Sequence, residues 1–253
     1  LTYENARELL KVASVLAAAP LLIGERDAYG KLEDDVVYSR FLIFAVNLRC
    51  FENFLLNRVH PVIMAKRGGY FVEVDSEKIR EGRKNLGLSI GSFAKAIGVS
   101  KKTVIDYERS NKKPSLKNAI SMEKLLKIEI AKGIDISSVP EFKDYCSEVD
   151  NKLDMYIVSH FEEIGYGSIP AKAPFNIVAT DGDEVILSGT GRVERDLRGK
   201  IDKIEKISDI LHSFSIFILE RKRREHIGSI PVIERSEFEK ISDKDEFREI
   251  IAT

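Results

Sequence analysis

Cysteine is scarce in this chain, with only Cys50 and Cys146 among 253 residues. Neither has a second Cys or a His at ligand spacing, so neither a disulfide framework nor a zinc cluster is encoded, and both read as buried, reduced thiols. Long apolar runs are missing too: none approaches the roughly 18 to 20 residues needed to span a bilayer. The longest, from Ala17 to Gly24, reads as a helix end feeding a strand, which points to a cytoplasmic protein with no membrane partner. Nor is there an excess of one charge, since 40 Lys and Arg face 41 Asp and Glu for a net charge of -1. A nucleic-acid signal must therefore be local. Glycine-rich phosphate cradles are also lacking: SGTGR at 188–192 is too short a pattern and reads as a strand end, so no cofactor is expected. What remains, 43% hydrophobic and 32% charged residues, is a globular composition long enough for two or three modest domains. The chain begins with Leu1 and enters a helical pattern almost at once, so an upstream segment is expected.

Apolar positions Leu9, Val12, Ala13 and Leu16 recur at helical spacing, and Pro20 then opens a short strand at Leu21 to Ile23. Ile43 to Val46 offers a second strand, Cys50, Phe51, Phe54 and Leu55 the apolar face of a short helix, and Gly68 and Gly69 turn the chain into a strand at Tyr70 to Val74. The same order returns near the C-terminus, where KISDILHSFSIFILE, residues 206–220, lies on KVASVLAAAPLLIGE, residues 11–25, with Lys, Leu, Ile and Glu identical. With eight extra residues in the N-terminal loop, Ile230 to Ile233 then matches Ile43 to Val46, and Phe238 matches Phe51. The spacing predicts an internal repeat: two copies of one α/β unit flanking a middle segment. Upstream of the second copy come a helix around Met155 to Ile164, and Phe175 to Ala179 joined to Glu184 to Leu187 by Asp181-Gly182, a hairpin signal. A long amphipathic helix from Val193 to Leu211 completes an α-β-β-α-β-β-α order. If the first copy is built alike, its opening strands lie before Leu1.

The local charge sits in the middle. Residues 76–127 hold 13 Lys or Arg and 5 Asp or Glu, a balance of +8 that leaves -9 for the rest. Lys-rich faces are often simply solvated, so charge alone decides little, but the spacing adds to it. Ser76 precedes an apolar-periodic stretch; Ser89 caps a second helix with Phe93, Ala94 and Ile97 inward, and Gly98 ends it. Small Ala94 permits a close helix crossing, and Gly98 permits the left-handed turn that a helix-turn-helix needs. Ser100 caps a third helix with Val104 and Tyr107 inward, leaving Lys101, Lys102, Thr103 and Asp106 outward near its start, where base edges are read.

On these residues, with LSIGSFAKAIGVSKKTVIDYERSNKKPSL at its centre, the segment from Ile79 to Leu126 resembles the five-helix, Xre-type, lambda-repressor-like DNA-binding domain. The resemblance implies an Arg83 to Glu108 ion pair that ties the first helix to the third and is structural. Ile90 departs from the pattern, standing where many members carry a Gln that braces the recognition helix. Lys101 and Lys102 can meet guanine acceptors or phosphates, or be solvated. Asp106 either accepts from a cytosine amine or caps and repels. Arg109, Asn111, Lys112 and Lys113 fall in the loop that this fold lays along a phosphate strand, and Lys95 is a weaker phosphate candidate.

The C-terminal unit resembles the α-β-β-β-α-β core of restriction-endonuclease-like enzymes, Holliday-junction resolvases among them, but without their chemistry. Such nucleases hold Mg²⁺ with an Asp on one strand and Glu-x-Lys on the next. PFNIVATDGDEVILSGTG instead puts Asn176 at the Asp, and Leu, Ser, Gly and Thr where Glu-x-Lys should lie. Asp181, Asp183 and Glu184 sit on the hairpin tip and read as solvated turn residues. No catalytic residue is therefore assigned.

The expected architecture is mixed α and α/β: an N-terminal α/β unit over 1–74, the Xre-type domain over 75–131, a linker over 132–150 and a nuclease-like α/β domain over 151–253. Through LEDDVVYSRFLIFAVN and AKRGGYFVEVD as well, nearly the whole chain resembles a group of archaeal helix-turn-helix transcriptional regulators. The resemblance implies a non-enzymatic regulator that binds double-stranded DNA as a homodimer, with helix 100–108 in the major groove and the flanking units serving dimerisation, DNA wrapping or sensing. Two other readings stay open: a structure-selective, Holliday-junction-like DNA binder or nuclease, and an antitoxin-like or scaffold protein whose helix-turn-helix merely represses its own promoter.

Overall fold

Thr2 accepts the Asn5 N–H at 3.2 Å and starts α1 (Tyr3–Val15). Beyond it the computed structural model, which describes residues 1–141 and 151–251, divides into two units, Ala19–Pro140 on one hand and Leu1–Ala18 with Glu141–Thr253 on the other. Cys146 and residues 142–150 of the expected linker lie outside the described residues. The division departs from an N-terminal unit over 1–74: α1 belongs with the C-terminal unit, because its Val12, Val15 and Leu16 pack onto that unit's core.

The unit of residues 19–140 opens with β1 (Leu21–Ile23), β2 (Val36–Arg40), β3 (Ile43–Val46), α2 (Leu48–Asn57), β4 (Ile63–Lys66) and β5 (Gly69–Val72), the strands ordered β1-β3-β2-β4-β5. Asn47 fixes the turn into α2 by accepting the Cys50 N–H at 2.8 Å. Cys50 is buried beneath Val37, Val46 and Met64, and burial, reinforced by Asp35 and Asp34, raises its thiol to about 11, so it is an inert thiol. β2 and β4 are additions to the strands expected from sequence.

The middle segment folds as α3 (Ser76–Asn85), α4 (Ile90–Ile97), α5 (Lys101–Glu108) and α6 (Leu116–Leu126). Asp75 caps α3, accepting from the Glu77 and Lys78 N–H groups. The expected five helices are four among the described residues; where a fifth would follow, the chain stays extended and returns to the sheet. The Asp75 N–H donates to Ile130 O at 2.8 Å, Lys132 N–H to Glu73 O at 2.8 Å, and Ile134 N–H to Pro61 O at 2.7 Å. The reason is the alternation Ile128, Ile130, Ile134, Ile136, which has the two-residue period of a strand. Ile130 closes the helical core, whereas Ile134 and Ile136 enter the core under the sheet. At about 1.5–3 kcal/mol for each fully buried aliphatic side chain, this return segment joins the two halves into one body.

The other unit comprises α7 (Lys152–Glu163), β6 (Gly167–Pro170), β7 (Ile177–Thr180), β8 (Val185–Gly191), α8 (Ile201–Leu211), β9 (Phe214–Leu219), β10 (His226–Ile227), β11 (Ile230–Glu234), α9 (Arg235–Phe238) and α10 (Lys244–Ile251). Its six strands run β10-β11-β9-β8-β7-β6. Alternation along β9 sends Ile216 and Ile218 to one face, against Phe161 of α7, Phe238 of α9 and Phe247 of α10, and Phe217 and Leu219 to the other, against Ile204 of α8 and the apolar side of α1. Two expectations are corrected. β6 adds a strand, giving α-β-β-β-α-β from α7 to β9. The helix from Val193 to Leu211 is broken into a 3-10 turn at Glu194–Leu197 and α8, because Gly199 turns at a φ of +75 between them.

The repeat appears in the strand pairing. β1 pairs parallel with β3 through Leu22↔Ala45 and Ile23↔Val46, and β9 with β11 through Phe217↔Val232 and Ile218↔Ile233, the positions that the sequence alignment equates. The antiparallel partner follows suit: Arg40↔Ile43 closes the β2–β3 hairpin and Ile227↔Ile230 the β10–β11 hairpin.

Candidate nucleic-acid interface

Each helix of the helix-turn-helix starts on a serine. Ser89 accepts the Ser92 N–H at 3.0 Å, and Ser100 accepts the Thr103 N–H at 3.1 Å while also meeting the Thr103 hydroxyl at 2.9 Å. Gly98, at a φ of +71, ends α4, and Phe93, Ala94, Ile97, Val104 and Tyr107 are buried between α4 and α5. Behind α5, Arg83 forks onto Glu108, Nε to Oε1 at 2.5 Å and Nη2 to Oε2 at 3.0 Å, and its Nη1 donates to Leu88 O at 2.8 Å. The Glu108 hydrogen bond holds the guanidinium above its ordinary pKa, and both side chains are about nine-tenths buried, so the pair is a strut between α3 and α5.

The front of α5 contrasts with this. Lys101, Lys102, Arg109, Asn111 and Lys112 are exposed, as is Lys95 on α4. Among the described residues none of the five cations has a carboxylate within ion-pair distance. Lys101 folds back over Gly91: a Cβ built on that glycine would lie 2.9 Å from Lys101 Cε and 3.6 Å from its Nζ. The ammonium thus stands over the first turn of α4, whose free N–H groups and dipole favour an anion. Asp106 is half-buried. Thr103 and Ser100 spend their hydroxyls on the cap. Lys113 differs from its neighbours: it is held by Glu73, beyond β5, so its charge is spent within the fold.

In the C-terminal unit, the residues that the sequence set where a nuclease would hold its metal lie together in hydrogen-bonding contact. Asn176 Oδ1 accepts from the Thr190 N–H at 3.3 Å and from Lys200 Nζ at 3.1 Å, the Asn176 N–H donates to Ser188 O at 2.8 Å, and the Thr190 hydroxyl donates to buried Asp154 on α7. One carboxylate, an amide, hydroxyls and an ammonium do not make the paired-carboxylate set a hard divalent cation needs. Among the described residues no group of three or more His, Cys, Asp and Glu is placed to hold a metal ion. Of the hairpin-tip acids read from sequence as solvated, Asp183 is exposed, but the other two are bound: Asp181 pairs with Lys244 at 3.0 Å and Arg248 at 3.4 Å, and Glu184 with Arg248 at 2.9 Å and the Tyr166 hydroxyl. Sequence reasoning missed this because the cations lie on α10, more than sixty residues downstream.

A four-helix arrangement with Ser-capped α4 and α5, set into an α/β framework, defines a helix-turn-helix protein. A helix-turn-helix family model matches residues 79–132, and a PD-(D/E)XK superfamily domain model matches residues 1–61. Archaeal proteins named "Putative HTH-type transcriptional regulatory protein" are similar over nearly the whole chain. That of Thermococcus kodakarensis is 33% identical over 99% of this chain and 80% of its own length, and that of Pyrococcus furiosus is 34% identical over 99% and 81%. That of Methanocaldococcus jannaschii is 31% identical over 96% and 78%. The chain belongs to this family of archaeal HTH-type regulatory proteins.

Proposed function

We propose that the protein is a sequence-specific transcriptional regulator that binds double-stranded DNA as a homodimer, inserting α5 with its Ser100 cap into the major groove. The observation that carries the reading is the asymmetry of charge around α5: Glu108 is spent on the buried fork with Arg83, whereas the exposed Lys101 and Lys102 at its start and Arg109 and Lys112 just after its end have no carboxylate partner among the described residues. Unpaired cations on one side of a rigid recognition helix suit a polyanion, and the Lys101 ammonium over the α4 N-terminus suits one phosphate. Lys102 and Asp106 then remain for base edges, and Arg109, Asn111 and Lys112 for the neighbouring phosphate strand. A two-fold dimer follows from the few base pairs that one such helix reads, with half-sites about 34 to 36 Å apart. The flanking units serve assembly, not catalysis, and the protein acts in the cytoplasm.

The test is fluorescence-anisotropy binding of the full chain to a duplex from its own upstream region, with a scrambled duplex as control, across a salt series. The specific duplex is expected to bind at physiological salt with a log-log slope near about -5, for five or six phosphate contacts. Lys101→Ala with Lys102→Ala is expected to weaken binding and shrink the difference between the duplexes. Equal binding of both duplexes by the unmodified protein, with release at the same salt, would sink sequence reading.

A further inference from the structure

We propose that the β4–β5 hairpin is a second DNA-contacting element, a short wing that meets the phosphate backbone beside the helix-turn-helix; this rests on the reading of α5 as a DNA-binding helix. Nothing in the helix-turn-helix itself calls for the hairpin, yet it is built into its flank. Phe71 of β5 bridges to Ser115, the residue that caps α6, and the Val72 N–H donates to Pro114 O at 3.0 Å. The bridge is antiparallel, so the strand runs along the end of the loop that follows α5 with its Gly69 end toward the first turn of α6, where Lys117 is exposed.

The tip is shaped and charged for a polyanion. Lys66↔Gly69 is the last pair of the hairpin, so Arg67 and Gly68 form a two-residue turn. Gly68 and Gly69 adopt φ values of +105 and +119, which side chains rarely tolerate, and so the turn is fixed by its glycines. Lys66 is held with its ammonium 4.6 Å above the Phe71 ring. Arg67 is exposed, and among the described residues it has no carboxylate partner. The acids nearby are accounted for: Glu73 is paired with Lys113, and Glu33 accepts from the Tyr70 hydroxyl at 2.6 Å, on the strand face opposite Phe71. A guanidinium on a glycine turn and an anchored ammonium thus stand on the hairpin whose strand β5 pairs with Pro114 and Ser115, two to three residues after Lys112. Such groups make phosphate contacts, which position a duplex without reading it.

The experiment measures the full chain against the same specific and scrambled duplexes over a salt series, comparing Arg67→Ala, Lys66→Ala with Arg67→Ala, and Lys101→Ala with Lys102→Ala. Loss of Arg67 is expected to weaken both duplexes by a similar factor and to reduce the magnitude of the salt slope by about 0.9, and loss of both hairpin cations by about 1.8. Discrimination between the duplexes is expected to stay at the wild-type ratio. Arg67→Glu supplies a larger change of the same sign, and an unchanged thermal melt confirms that each variant is folded. Hairpin variants with the wild-type slope, alongside an effect of the Lys101 and Lys102 pair, would overturn the wing and leave the α5 reading intact. A wild-type protein that binds neither duplex would overturn both.

Discussion

In the first copy of the repeat, β1 pairs with β3 and forms one edge of its sheet, whereas in the second copy the equivalent β9 lies between β11 and β8. The register is the same in both; the burial is not. Leu22 and Ile23 are 36% and 47% exposed, while Phe217 and Ile218, at the matching positions, are fully buried. Register is thus set locally, by two-residue hairpins that close at Arg40↔Ile43 and Ile227↔Ile230. Burial is set by which elements are laid alongside. The preceding helices show the same contrast, since α8 covers its own sheet and α1 covers that of the second copy.

The sharpest test truncates the matched aromatics. Phe238 is fully buried with Phe161 5.0 Å away and His160 4.8 Å away, whereas Phe51 is half-buried. Phe238→Ala is expected to cost about 4 kcal/mol and Phe51→Ala about half of that, read as separate shifts in chemical denaturation. Equal losses would mean that the copies are energetically alike and that the exposure difference is irrelevant. Next in size, Arg83→Ala is expected to cost about 3 kcal/mol by leaving Glu108 buried and unpaired, locating the stability of the 19–140 unit in its helical half. Rescue by Arg83→Lys is expected to be partial, since Lys cannot make the fork.

A smaller effect tests the flank that β9 has and β1 lacks among the described strands. A Cβ on Gly189 of β8 would lie 2.6 Å from the Phe217 ring, so Gly189→Ala is expected to cost about 2 kcal/mol, visible in amide exchange along β8 and β9. Protection confined to its wild-type pattern would show that the strands can shift apart cheaply. The smallest effect is in acid. Hydrogen bonding from Lys244, with backbone N–H groups of Glu184 and Asp183, holds the Asp181 carboxyl down at about 2. Being depressed below the unfolded value of about 3.9, it adds stability that is complete above that value and is lost as pH falls toward 2. Asp181→Asn is expected to flatten the dependence of the C-terminal unit's stability between about pH 4 and 2. An identical acid titration for wild type and variant would remove the pair from the account.

The helix-turn-helix was the most legible part of the sequence, because its signals are local: Ser89, Gly98 and Ser100 act within three or four residues of where they stand. The repeat was legible for a related reason, since equal spacing needs no knowledge of partners. β6 was hidden because Gly167, Ser168, Ile169 and Pro170 carry one large apolar side chain among residues that normally punctuate. The extended stretch in place of a fifth helix had a signal, isoleucines at 128, 130, 134 and 136, that the resemblance to a five-helix domain overrode. At the candidate interface the exposed lysines were readable as a charge run. The fate of Lys113 was not, since Glu73 lies forty residues upstream and becomes a neighbour through the pairing of β5 with Pro114 and Ser115.

That return segment has a consequence for how such a chain can be rearranged. The helical domain leaves the sheet at Asp75 and comes back at Ile130, and these two residues share a backbone hydrogen bond of 2.8 Å, with Val74 bridged to Ala131 beside them. Entry and exit are therefore a single doorway. The helical body is thus an insertion between two paired stretches, so exchanging it for one of different specificity would leave that pairing in place while giving up the β5 contacts to Pro114 and Ser115.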